Sequence, residues 1–126
     1  MLSRGLISGH WQKSAFAKGD FRGFSPRFQG DNVDANLALV EALRRVAERL
    51  GISVAQAAIA WVAAQSEAIV PLIGARRRDR LSEALGALDA RLSAADLAAI
   101  AAAMPSESAS GSRYPAEAMA HLDSEK

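Results

Sequence analysis

Ile69-Val70-Pro71-Leu72-Ile73-Gly74-Ala75-Arg76-Arg77-Arg78-Asp79-Arg80-Leu81-Ser82-Glu83-Ala84-Leu85 is the stretch on which the reading of this chain turns. It opens with an apolar run over residues 69–73, breaks at Gly74, and then places arginine at 76, 77, 78 and 80. Helical spacing resumes through Leu81, Ala84, Leu85 and Leu88. Apolar residues on both faces are what a strand covered by helices on each side requires, so 69–73 reads as a parallel strand. Pro71 lacks an N–H and is awkward in a central ladder. The glycine turn and basic helix start that follow suit an anion, because first-turn amides and the positive end of the helix dipole both attract one. Guanidinium groups add forked donors that match phosphate oxygens. The plainer alternative is a solvated arginine run at a helix start.

Composition narrows the context. The chain has 126 residues, half of them hydrophobic, with a formal net charge of +1. That is the length and make-up of one globular domain. Without a basic excess the arginines are a local feature, and nucleic acid is not an expected partner. The absence of cysteine excludes disulfides, thiolate metal sites and thiol catalysis. Neither a signal peptide nor an apolar run long enough for a bilayer is readable, so no membrane partner and a cytoplasmic location are expected.

Working outward, residues 2–9 (Leu-Ser-Arg-Gly-Leu-Ile-Ser-Gly) read as the end of a strand running into a loop, as though the chain begins inside an element. Residues 10–36 carry four glycine or proline breaks and the rings of Trp11, Phe16, Phe21, Phe24 and Phe28. They predict a long surface loop whose rings either line a binding site or pack on the helices beneath. From about Asp34, Leu37, Val40, Leu43, Val46, Ala47 and Leu50 form one apolar stripe on a helix. Glu41 and Arg45 stand at i, i+4, and Gly51 is placed for a left-handed C-terminal cap. Ser53 and Gln56 fit a reciprocal capping box for a second, largely buried helix running to about Gln65. A helix over about 77–88 follows the predicted strand. Ser93 caps another, with Leu97, Ile100, Ala101 and Met104 inward. After Pro105 the chain reads as a loose tail, with a short helix starting at Tyr114-Pro115.

Three stretches carry a resemblance. Leu2-Ser3-Arg4-Gly5-Leu6-Ile7-Ser8-Gly9 resembles the pattern Pro-Leu-Gly-x-Gly-x-Leu-Thr-Gly at the seventh-strand exit of the aldo/keto reductase family. Phe21-Arg22, Pro26-Arg27-Phe28 and Asn36-Leu37 resemble the loop into the next helix. Val70-Pro71-Leu72-Ile73-Gly74-Ala75-Arg76 resembles the eighth-strand signature Val-Pro-Ile-Pro-Gly-Thr-Arg. The likeness runs from Leu2 to Asp123, and it corresponds to about the last third of a family member.

The resemblance implies an α/β fold: a C-terminal fragment of a (β/α)8 TIM barrel, mostly helical with one or two strands. Residues 1–126 would form one partial domain and 105–126 a loosely ordered tail. Barrels of this kind often bind phosphate in the loops after strands seven and eight. By resemblance that loop holds the adenosine end of NADP. Gly74 and Ala75 would offer amides, Arg76 and Arg80 would clamp the 2′-phosphate, Glu83 would lie by the adenosine, and Leu2, Ser3 and Gly5 would follow the pyrophosphate. Ala75 and Ala84 stand where the family usually has Thr and Asn. No segment matches the family's catalytic Asp, Tyr, Lys and His motifs. Tyr114 reads as a structural or exposed tail residue, and His10 and His121 show no partner carboxylate at a readable spacing. The expected function is therefore the C-terminal portion of an NADP-dependent carbonyl/alcohol oxidoreductase, carrying part of the cofactor site without the chemistry. Two other classes fit less of the chain. One is a helical interaction module docking on a separately encoded barrel part. The other is a helix-turn-helix DNA binder over residues 46–64, in which only Gln56 would face base edges.

Overall fold

Helix α1, Gly30–Arg49, is the element on which the others pack. The structure, a computed structural model, describes residues 2–13 and 16–122; Met1, the tail end over 123–126 and the Asp123 limit of the resemblance lie outside the described residues. The apolar stripe forms as the periodicity predicts, with Val33, Val40, Leu43, Val46 and Ala47 buried. The helix begins before Asp34 because the 3-10 turn Pro26–Phe28 feeds directly into it and Asp31 favours its first turn. It ends in a Schellman motif: Ile52 N–H donates to the Ala47 carbonyl at 3.1 Å and Gly51 N–H to Glu48 at 3.1 Å. Gly51 adopts the left-handed φ of 67° this requires. Glu41 pairs with Arg44 at 3.0 Å, not with Arg45 as the spacing suggested. Arg44 also donates to the Gly9 carbonyl at 3.2 Å, and that tertiary bond brings its guanidinium to the Glu41 side.

Helix α2, Val54–Ala63, turns 85° from α1 after the Ser53–Gln56 capping box. Its alanines allow close approach, and Val54, Ala55, Ala57, Ile59 and Ala60 are buried. Helix α3, Arg78–Leu85, continues as a 3-10 turn Gly86–Leu88 and lies against α2. Helix α4, Ala94–Ala103, opens on a Ser93–Asp96 capping box and packs on α1. Ile100 is its buried residue, whereas Ala101, expected inward, is exposed and Ala99 and Ala103 take the inner positions. The short α5, Ala116–Met119, follows Tyr114-Pro115 as the proline suggested. The core joins Leu6, Phe28, Leu43, Val54, Ala57 and Ile100; burying Leu43 alone contributes about 2 kcal/mol.

Two sequence expectations are overturned. Residues 69–73 form no strand, and 2–9 form 3-10 turns in place of a strand end. Among the described residues there is no strand at all. The physical reason is pairing. An apolar extended segment becomes a strand only when a neighbour accepts its N–H groups, and here Ile69 N–H reaches back to Ser66 O at 3.0 Å. Val70 and Leu72 stay 77% and 88% exposed. Among the described residues no single helix is long and apolar enough to cross a membrane.

The aromatic loop divides. Trp11 meets Phe28 edge-on at 5.4 Å and Phe16 meets Phe28 at 6.1 Å, while Phe21 and Phe24 remain exposed. The stretch after Pro105 is tied to α1 by buried Asn36. Its amide donates to Arg27 O and Ser110 O and its carbonyl accepts from Ser110 N, at 3.0, 2.9 and 2.8 Å.

Candidate functional site

The N-terminal segment is held in a tight coil by its own carbonyls. Gly5 and Ile7 N–H groups both donate to Leu2 O, at 2.9 and 3.2 Å. Ser3, Arg4 and Gly5 are consecutive left-handed residues, with φ of 47°, 57° and 94°. Two of the three are not glycine, a strained arrangement that persists only where the surroundings impose it. Leu6 supplies one anchor in the core. Arg4 supplies another: its guanidinium lies between the Phe21 and Tyr114 rings, at 4.9 and 4.6 Å, and donates to buried Ser25 Oγ at 2.8 Å. Tyr114 is thus a structural contact for this segment.

That coil forms one wall of a cleft of about 470 Å³. Leu2, Gly5, Ser8 and His10 stand on this wall; Ile73 and Gly74 form the rim opposite. Ala55 and Ile59 of α2 and Ala84 of α3 give it an apolar floor, and Arg80 and Glu83 point polar groups into it. Leu2 and Ile73, 71 positions apart, pack on the same small cluster of Ile59, Ala84 and Ala87. Of the residues singled out from sequence, Leu2, Gly5, Gly74, Arg80 and Glu83 are therefore brought together. Ser3 faces an adjoining cleft of about 540 Å³, which Arg4, Arg27, Arg113 and Tyr114 also line. Ala75 and Arg76 line neither cleft, and Arg76 is exposed.

The arginine run separates by partner. Arg77 forms a two-pronged pair with Asp79 at 2.9 and 2.7 Å, which holds the Asp79 carboxyl below its usual range. Arg80 donates to Glu83 at 3.2 Å, one turn on. Arg76 and Arg78 have no ion-pair partner among the described residues. Arg77, the N-cap residue of α3, makes no side-chain cap bond, while the Asp79 carboxylate accepts from the Arg80 amide within the first turn; at Gly74 a Cβ would meet nothing within 4 Å.

Sequence reasoning missed His10. Its Nε2 contacts both Glu83 carboxylate oxygens at 3.0 and 2.9 Å, across 73 positions. No spacing rule reaches that far; only the packing of the coil on α3 shows it. Burial alone would raise the Glu83 pKa, but hydrogen bonds from Ser53, His10 and Arg80 outweigh it and the net shift is downward. Gln56 completes the support, with its amide Oε1 accepting from Ser53 N at 2.9 Å and its Nε2 donating to Glu83 O at 3.0 Å. Gln56, the one side chain the helix-turn-helix alternative offered to base edges, is engaged in these bonds. Among the described residues no cluster of three metal-ligating side chains occurs.

Residues 3–105 match the family model for the aldo/keto reductase family. The chain belongs to the aldo/keto reductase family. It is 36% identical over 115 residues to the aldo-keto reductase yakc [NADP(+)] of Schizosaccharomyces pombe, covering 90% of this chain and 34% of that protein. It is 38% identical over 89 residues to the probable aldo-keto reductase 1 of Glycine max, covering 71% and 26%. A third relative, the aldo-keto reductase str7 of Strobilurus tenacellus, is 30% identical over 100 residues, covering 79% and 30%. The chain thus spans about a third of the length of the aldo/keto reductases it matches. No solved structure matches it.

Proposed function

We propose that this chain is the C-terminal portion of an NADP-dependent aldo/keto reductase and supplies the adenosine-phosphate side of its cofactor site. The observation that carries the reading is the shared cleft of Leu2, Gly5, Gly74, Arg80 and Glu83. Its donor set suits the group. A dianionic phosphate finds the Arg80 guanidinium and the N-terminal end of α3, whose N-cap residue makes no side-chain bond of its own. The Glu83 carboxylate suits hydroxyl or amine donors of an adenosine, and the floor of Ala55, Ile59 and Ala84 suits an apolar ring face. In that role Leu2, Ser3 and Gly5 border the pyrophosphate, and Ala75 and Arg76 close the outer end of the site. NADPH, when bound, supplies a hydride for a carbonyl carbon. The residues of this chain bind and orient; the proton donor belongs to a barrel part carrying the Asp, Tyr, Lys and His motifs. The same proposal gives residues 69–73 their sheet partners. Val70 and Leu72 would be covered by the remainder of a (β/α)8 barrel, in a cytoplasmic enzyme without nucleic-acid or membrane partners.

The test is calorimetric titration of NADP+ and NAD+ into the chain and its variants. NADP+ is expected to bind at least tenfold more tightly than NAD+. Arg80→Ala should erase that preference, since a hydrogen bond to a charged group contributes about 1.5–3 kcal/mol. Arg77→Ala, already neutralised by Asp79, should leave it intact. Equal binding of NADP+ by wild type and an Arg76→Ala/Arg80→Ala chain would sink the reading.

A further inference from the structure

We propose that His10 is a positioning residue for this anion site: it holds the Glu83 carboxylate and sets how far that carboxylate cancels the charge of Arg80. The inference rests on the cofactor-site reading above. Glu83 is a shared acceptor, meeting His10 Nε2 through both oxygens at 3.0 and 2.9 Å and Arg80 at 3.2 Å. The Glu83 side chain is 16% exposed, and those of His10 and Arg80 are 41% and 36% exposed, so solvent screens the triad only in part. His10 comes from the N-terminal coil and Glu83 and Arg80 from α3, so the contact ties the two walls of the cleft together.

The consequence follows from charge. With a neutral imidazole the triad of His10, Glu83 and Arg80 sums to zero, and an incoming dianion meets an arginine whose charge is opposed. With an imidazolium the triad carries +1, Glu83 is balanced by His10, and Arg80 is released to the anion. Histidine is the side chain that makes this change between about pH 5 and 8. The other charged groups facing His10 and Glu83 are Arg4 of the coil, Arg44 and Glu48 of α1, and Asp79 beside Arg80. Asp79 is held ionised by Arg77. Glu48 lies in the minor cleft behind His10, away from Arg80.

Sulfate, a dianion of fixed charge in this range, is the probe, followed by NMR at the Gly74 and Arg80 amides at pH 5.5 and pH 8.0. Wild type should bind sulfate three- to tenfold more tightly at pH 5.5. His10→Gln should bind weakly at both pH values; His10→Lys, a permanent cation able to reach the carboxylate, should bind tightly at both. A merely structural histidine would not produce that rescue. A His10→Gln chain that keeps the wild-type pH dependence, or a His10→Lys chain as weak as His10→Gln, overturns the inference, as does no sulfate binding by any of the three. NADP+ titrations separate the two readings. NADP+ binding that is unchanged across the variants and both pH values overturns the role of His10 and leaves the cofactor site standing. The sulfate pattern without NADP+ binding overturns the cofactor site and leaves the role of His10.

Discussion

At the scale of residues, the decisive groups are polar side chains that reach across the chain. Asn36 is buried and uses its amide three times, bridging the loop before α1 to the segment around Ser110. Removing it leaves the Ser110 N–H and two carbonyls without partners in a water-poor place. Asn36→Ala should therefore cost about 2–3 kcal/mol, read as a lowered urea midpoint. Asn36→Leu should not restore the loss, because filling the volume returns no donor or acceptor. The sequence marked Asn36 only as part of a family-like loop; its partners lie 9 and 74 positions away. His10 is the same case, read as lacking a carboxylate because Glu83 is distant in sequence and adjacent in space.

At the scale of elements, helix starts and stops were legible because capping is local chemistry. The Ser53–Gln56 box and the Gly51 cap both form where the residue types place them. Ser93 and Ser53 each cap a ten-residue helix, so each substitution to alanine should cost about 1 kcal/mol. Ser53→Ala should cost more than Ser93→Ala, because the Ser53 hydroxyl also supports the Glu83 carboxylate. Thermal or urea unfolding of the two variants side by side checks the order. The strand over residues 69–73 failed for the complementary reason. Its apolar pattern is real, but a pattern supplies faces and no hydrogen-bond partner, and Val70 and Leu72 face outward.

For the whole molecule, the ion pairs and hydrogen bonds that lower carboxyl pKa values bear on stability against acid. Asp20 is held low by Arg22, Asp79 by Arg77 and Asp96 by Ser93; Glu83 is lowered against its burial by Ser53, His10 and Arg80. Each folded-state pKa lies below its unfolded value, so the stabilisation is full above the unfolded range near pH 4 and is lost as pH falls through the lowered values. The urea midpoint should hold steady from pH 7 to about 5 and drop steeply below pH 4. Glu83→Gln, with one fewer such group, should drop less over the same interval. A midpoint that rises as pH falls below about 4 would contradict these pairings.

The sequence by itself determined the family, the caps, the apolar stripe of α1 and the basic start of α3. Each depends on residue type within a few positions. Only the tertiary structure decided which arginine meets the cleft and which is neutralised, that Ser3 faces a different cleft from Gly5, and that His10 answers Glu83. Those outcomes follow from how the N-terminal coil docks on α2 and α3, a contact between segments some 70 residues apart that local periodicity does not encode. The opposite result at residues 69–73 has the same origin. Whether an apolar run becomes a strand is settled by a neighbour offering hydrogen bonds, and here the bond that forms is the local one from Ile69 to Ser66.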